Sequence, residues 1–234
     1  GVMTDKRTEI VYDDARHFVL TTPEKFDIIT SDPIHPFVKG SATLYSKEYF
    51  EMVKAHLNPG GVVTQWVPLY ESDDATVKSE IATFFSVFPN GTVWANLLDG
   101  GGYDIVLVGT AAPAKIDLDA IDARLAGPEN APALASLRDV KFDRAIDLFA
   151  TYAGSAEGLA PWLKDAAINR DKELRLQYLA GLALNPAHDR VRAPWGGRVG
   201  PGARRTLGGF FRARARETGD AAGGAGVHER HRGG

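Results

Sequence analysis

The chain contains no cysteine. Disulfide frameworks and thiolate metal sites are therefore excluded, while the redox compartment stays open. No stretch approaches the ~18 apolar residues that a membrane helix requires. The amino terminus, GVMTDKRTEIVYDD, is too charged for a secretory leader. These absences give the expectation of a cytoplasmic protein. The six histidines are scattered or lie late in the chain (His188, His228, His231), with no spacing suited to a metal. No serine stands in a nucleophile-elbow pattern, and no internal repeat is visible. Lysine disappears part-way: all ten precede residue 173, and every Lys or Arg after residue 187 is arginine.

What is present is ordinary for a globular chain. Its 234 residues are 44% hydrophobic and 24% charged, long enough for one large domain or two small ones. The net charge of −3 conceals a split. Residues 1–186 hold 17 basic and 26 acidic side chains, whereas residues 187–234 hold ten and four. That last part also has 12 glycines in 48 residues and little periodicity. It lacks the apolar surface to offset chain entropy, so disorder is expected. A frame change after Leu184-Asn185 in a GC-rich gene accounts for the glycine and arginine bias. A flexible basic tail is the alternative, and no specific nucleic-acid partner is expected.

Patterning predicts alternating strands and helices over residues 1–112. Thr8–Tyr12 and Phe26–Ser31 read as strands, the second stopped at Asp32-Pro33. Ser46 is an N-cap for a helix over Lys47–Leu57, with Tyr49, Phe50, Val53 and Leu57 on one stripe. Asn58–Gly61 reads as a turn and Val62–Val67 as a buried strand. A helix follows over Asp73–Phe85, with Val77, Ile81, Phe84 and Phe85 inward. Thr92–Asn96 and Tyr103–Gly109 read as strands joined by the loop Asp99–Gly102. Such alternation implies an α/β fold with a mostly parallel, doubly wound sheet ending in an antiparallel pair. Residues 113–186 read as a helical extension (Leu118–Leu125, Val140–Ala150, pieces near Trp162 and over Leu174–Leu184). Residues 187–234 form the tail.

In open α/β sheets, ligands bind beyond the carboxyl ends of the strands. Three polar clusters fall there: Asp13 to Arg16, Ser31-Asp32, and Gln65 with Tyr70-Glu71 beyond it. An aspartate ending a strand can act as a general base or hold an ammonium; before proline it is also an ordinary turn former.

The strings DDARHFV, FDIITSDPIHP, LYSKEYFEMVKAHLNPGGVVTQW and GGYDIVLVG resemble, in this order, the polyamine aminopropyltransferases, or spermidine synthases. The likeness is greatest to bacterial relatives often fused to membrane segments, so a longer, membrane-fused parent is an expectation. It covers residues 8–110, with a weaker echo at Asn169-Arg170-Asp171 and Leu176–Leu179. The resemblance implies a Rossmann-like sheet of the S-adenosylmethionine-methyltransferase kind, here its carboxyl-terminal half. It implies transfer of an aminopropyl group from decarboxylated S-adenosylmethionine, used as a co-substrate, to a small putrescine-like amine, with a homodimer as a candidate assembly. It implies Asp32 as the base, and Asp14 with Ala15 at the adenine. Gln65, Tyr70 and His35 would then line the amine pocket. A methyltransferase acting on S-adenosylmethionine itself and an inactive remnant are the alternatives.

Three departures accompany the resemblance. Where the family carries DSSDP, this chain has Asp32-Pro33-Ile34-His35-Pro36, so the second aspartate is missing; His35 or Asp99 could stand in. The glycine-rich loop after the first strand and the acidic ribose contact are absent, which gives the expectation of a fragment. The arginine-rich tail is the third.

Overall fold

A computed structural model describes residues 4–95, 104–113 and 116–184, and the backbone alone of residues 192–193 and 197–198. Asp99, the Asp99–Gly102 loop and nearly all of the 187–234 tail lie outside the described residues. From the tail only a short antiparallel pairing of Arg192–Ala193 with Gly197–Arg198 is described.

The architecture grows from two strands that local sequence specifies well. β1 (Phe26–Ser31) and β2 (Leu57–Pro68) run parallel, with Ile28 beside Val62 and Ser31 beside Gln65. β4 (Asp104–Thr110) then runs antiparallel to β2 along its length, from Val62 beside Thr110 to Pro68 beside Asp104. β3 (Thr92–Ala95) pairs with the other edge of β4, and β5 (Tyr152–Ser155) with β3. The sheet order is β1-β2-β4-β3-β5. The mostly parallel sheet expected from alternation is corrected: among the described residues of this sheet one ladder is parallel and three are antiparallel, because β4 inserts between β2 and β3 and runs antiparallel to both.

Two helices cover one face. α2 (Lys47–Ala55) starts at Ser46, whose hydroxyl accepts from Tyr49 N at 3.2 Å, and α3 (Asp74–Val87) starts at Asp73, whose carboxylate accepts from Thr76 N at 2.8 Å. Phe50, Val53, Val77, Ile81, Phe84 and Phe88 pack against Val63, Val67, Val93, Ile105 and Leu107 from the sheet. Phe84 anchors this layer, edge-on to Phe50 at 5.2 Å and tilted against Phe88 at 4.9 Å. Such burial of some ten large apolar side chains, at about 1.5–3 kcal/mol each, is what holds helices to sheet. α8 (Arg175–Ala183) adds Leu176 to the same core, and α7 (Ala156–Leu163) adds Leu159.

Asn169 fastens these pieces together. Its side chain is fully buried, donates to Ala42 O (2.8 Å) and Tyr45 O (3.2 Å), and accepts from Leu176 N (3.1 Å). Its backbone N–H donates to Thr83 Oγ1 at 2.8 Å, and its carbonyl accepts from Lys47 N at 2.9 Å. One residue thus ties the 3-10 turn Ser41–Tyr45, α2, α3 and α8.

Several local expectations are corrected. Thr8–Tyr12 is not a strand; it has no ladder partner among the described residues, and Ile10, Val11 and Tyr12 are exposed. β1 is accordingly an edge strand, not a buried one, with Ile28 at 69% exposure. Asn58–Gly61 belongs to β2, with Gly60 at φ 80° and a slip of register between Phe26 and Ile28. The helix expected over Val140–Ala150 breaks at Lys141 (φ 70°) and resumes only over α6 (Ala145–Phe149). Asp147 draws the Asp143 and Arg144 N–H groups into a helix start, and Asp122 of α4 (Leu118–Leu125) takes Ala145 N at 2.6 Å. α5 (Ala131–Asp139) and β5 were not foreseen.

Candidate active site

The carboxyl ends of β1 and β2 lie side by side, which sets Asp32, just past β1, near the run from Gln65 to Tyr70. Asp32 itself is exposed. His35 packs between aromatic rings: edge-on to Tyr70 at 4.9 Å and to Trp66 at 5.5 Å, and tilted on Phe37 at 5.0 Å. Its Nε2 is buried without a hydrogen bond, 3.9 Å from the Glu71 carboxylate. Glu71 holds a left-handed backbone (φ 53°), a strained conformation for a residue with a Cβ. Trp66 is fixed from behind by Asp104, Nε1 donating to Oδ2 at 2.9 Å. His35 and Tyr70 are therefore brought together on an aromatic wall.

Beneath this wall lies a polar cluster inside the core. Tyr45, at the end of the 3-10 turn, points its phenol inward. Burial pushes the Tyr45 hydroxyl well above its usual range, and the negative charges of Glu80 and Asp32 push it further. The Gln65 amide lies close enough to oppose this slightly, yet no hydrogen bond of good geometry forms. Gln65 is fully buried; its Nε2 donates to Trp66 O at 3.3 Å and its Oε1 has no partner. Glu80, on α3, is 1% exposed, and neither of its oxygens is hydrogen-bonded. Burial drives its carboxyl well up, with the Asp73 charge adding to the shift. Thr76 Oγ1, one helical turn earlier, is likewise orphaned. Sequence reasoning missed Tyr45 as a polar group and missed Glu80 altogether. A readable signal existed: Glu80 occupies the i+3 place in the inward stripe of Val77, Ile81 and Phe84, where an unpaired charge is out of place.

A second region flanks β1. Asp14 caps α1 (Ala15–Thr21), its Oδ1 accepting from His17 N at 3.0 Å. Ala15 lines a cavity of about 420 Å³ with Asp13, Phe18, Ile28, Thr30 and Tyr49, whereas Asp14 does not reach it. Asp13 instead pairs with His17 Nδ1 at 2.7 Å, which lowers the carboxyl and raises the imidazole. The Tyr49 hydroxyl is raised by burial, opposed by Ser31 and the Arg16 charge. Arg16 donates to Thr43 O (2.7 Å), Ser46 Oγ (3.1 Å) and Asp171, so the turn carrying Tyr45 is braced from this side too. Among the described residues, no group of three or more acidic or histidine side chains could hold a metal ion. No helix among them is long and apolar enough to cross a membrane.

Residues 1–113 match the model of the spermine/spermidine synthase domain. Residues 1–113 belong to that family. Similar sequences agree with this domain: a polyamine aminopropyltransferase of Aeropyrum pernix is 41% identical over 90 residues, covering 36% of this chain and 29% of its own length. That of Pseudomonas syringae is 42% identical over 66 residues, 28% of this chain and 23% of its own. That of Saccharolobus solfataricus is 30% identical over 119 residues, 45% and 39%. The chain thus spans between about a quarter and two fifths of the curated relatives it matches. A probable spermidine synthase from Corynebacterium glutamicum, of known structure, aligns at a TM-score of 0.44 and 22% identity, covering 70% of this chain and 54% of that one. In the spermine/spermidine synthase domain of the present chain, the clusters at Asp32, Gln65 and Tyr70 all fall within the matched residues.

Proposed function

We propose that the spermine/spermidine synthase domain takes part in aminopropyl transfer from decarboxylated S-adenosylmethionine to a small amine, with Asp32 as the proton acceptor. The supporting observation is Asp32 at the carboxyl end of the parallel ladder of β1 with β2, next to an aromatic wall and buried polar atoms. An alkylamine at neutral pH is an ammonium and has no free lone pair. The carboxylate binds that cation, aligns it, and takes one proton. The freed nitrogen pair then forms a bond to the carbon beside the sulfonium. The carbon–sulfur bond breaks, and its electrons return to sulfur as a neutral thioether. Asp32 passes its proton to water, which its exposure permits.

Supporting roles follow from position. Gln65 orients the amine, and Tyr70 with His35 walls its alkyl part. The cavity lined by Asp13 and Ala15 is assigned to the adenine, and Asp14 acts there only by capping the helix that carries Ala15. Asp32→Asn should lower the formation of methylthioadenosine from decarboxylated S-adenosylmethionine and putrescine by about 10²–10⁴-fold. A rate unchanged by that substitution, or methyl transfer from S-adenosylmethionine as the sole activity, would defeat the proposal.

A further inference from the structure

The sheet has a second face, turned away from α2 and α3. Val93, Ile105 and Leu107 point into the core, so their chain neighbours Trp94, Val106 and Val108 face the other way, with Trp94 beside Val106 in the β3–β4 ladder. The segment from the end of α5 through α6 stands over them, and between the two lies a cavity of about 770 Å³. Phe142, Leu148 and Phe149 form its outer wall, Phe149 edge-on to Trp94 at 5.1 Å. Such a volume and such an apolar lining suit a small molecule. The polar groups of the lining are nearly all committed. Trp94 Nε1 donates to Thr92 Oγ1 at 2.8 Å, Thr151 Oγ1 donates to Leu148 O at 2.7 Å, and Asp104 accepts from Trp66 Nε1 at 2.9 Å. The exception is Lys141, whose ammonium has neither an ion pair nor a hydrogen bond among the described residues. Its neighbours Arg138 and Arg144 are paired, with Asp143 at 3.4 Å and with Asp122 at 2.7 Å.

The backbone holds this lysine at the cavity rim against its own preference. α5 ends in a doubly bonded turn, Phe142 N donating to Leu137 O at 2.9 Å and Lys141 N to Arg138 O at 3.0 Å. That turn sets Lys141 in the left-handed region (φ 70°), where glycine fits without strain. We propose that this cavity binds an apolar monoanion, an alkyl carboxylate of medium chain length. Its chain lies on Trp94, Val106 and Val108, and its carboxylate meets Lys141 at the rim. Release of water from walls that offer it no hydrogen bonds drives entry of the chain, and the exposed ammonium selects the sign of the charge. A cation at Asp104 is the competing occupant. That carboxylate already accepts from an indole N–H, whereas the Lys141 charge is uncompensated, so the anion is favoured. The site contains neither Asp32 nor the cavity beside Ala15, and it does not rest on the aminopropyl-transfer reading.

The test is calorimetric titration of the full chain with decanoate and with decylamine, each below its micelle-forming concentration. The two share a chain length and differ in charge. The wild type should bind decanoate about tenfold more tightly, and Lys141→Met should narrow that preference by about fivefold. Val108→Trp fills the cavity from the sheet and Leu148→Trp fills it from the opposite wall. Each should remove decanoate binding, with circular dichroism identifying a variant that fails to fold; Lys141 is exposed, so its variant keeps the core packing whatever the other two do. A wild type that takes up no decanoate, tighter binding of decylamine, or a preference unmoved by Lys141→Met overturns the inference. So does full decanoate binding by a folded tryptophan variant. A chain that sediments as a dimer and binds no decanoate assigns this face to a second copy, which overturns it as well.

Discussion

Replacing Asn169 with alanine removes three hydrogen bonds at a fully buried position, leaving two carbonyls (Ala42, Tyr45) and one amide N–H (Leu176) without partners. Each abandoned group costs on the order of 1–3 kcal/mol, so the total is roughly 2–6 kcal/mol if one group recovers a water. Against the ~5–15 kcal/mol that holds an ordinary domain together, this is a large share. Urea unfolding followed by tryptophan fluorescence reads it directly as a lower midpoint at constant slope. Asn169→Asp sharpens the point. One oxygen still accepts from Leu176 N, while the other now meets the carbonyls of Ala42 and Tyr45. The native state then opposes ionisation, so this variant should approach wild-type stability as pH falls and lose it as pH rises. A loss below about 1 kcal/mol in Asn169→Ala, or an Asn169→Asp variant indifferent to pH, would refute the view that this side chain fastens the helices together.

Other outcomes are expected from the same structure. Glu80 has a raised carboxyl in the folded state, so its unfavourable contribution is absent below the unfolded value near 4.3 and grows as pH rises through the folded value, by up to about 1.4 kcal/mol per pH unit. Glu80→Gln should therefore melt above the wild type at neutral pH and coincide with it near pH 4, by thermal denaturation across pH. Gly109→Ala places a Cβ 2.7 Å from Phe88 and 2.8 Å from Phe84, which overpacks the core by about 1–3 kcal/mol and lowers Tm by roughly 3–10 °C. An unaltered Tm would mean that these two rings yield more freely than their packing implies.

Much of the fold was readable because it is locally encoded. Ser46 and Asp73 cap α2 and α3 as their residue types demand, and Tyr45, Tyr49 and Phe50 are core as their spacing indicates. The failures share a cause. Thr8–Tyr12 has strand composition but no ladder partner, and local propensity cannot report that. β5 is Tyr-Ala-Gly-Ser, with none of the β-branched alternation that marks a strand, and pairing with β3 alone makes it one. At the proposed site, Asp32 and Gln65, with Tyr70 just beyond, stood out as polar residues at strand ends, and His35 only through the resemblance; the fold sets His35 against Tyr70 and the end of β1 beside Gln65. Asp14 turned out to serve as a cap, while Asp13 and Ala15 reach the cavity. Glu80 was overlooked because a charged residue within a helix is ordinarily assumed to face water.

The residues proposed for the site all lie between Asp13 and Tyr70, but what fixes them arrives later. β2 gains its second neighbour only when Asp104–Thr110 has been made, and the turn under Tyr45 is pinned only once Asn169 and Leu176 exist. During synthesis on the ribosome, the proposed catalytic Asp32 emerges well over a hundred residues before the last anchor at Leu176. The residues proposed for the site are thus held in place late and together, long after each of them has been made.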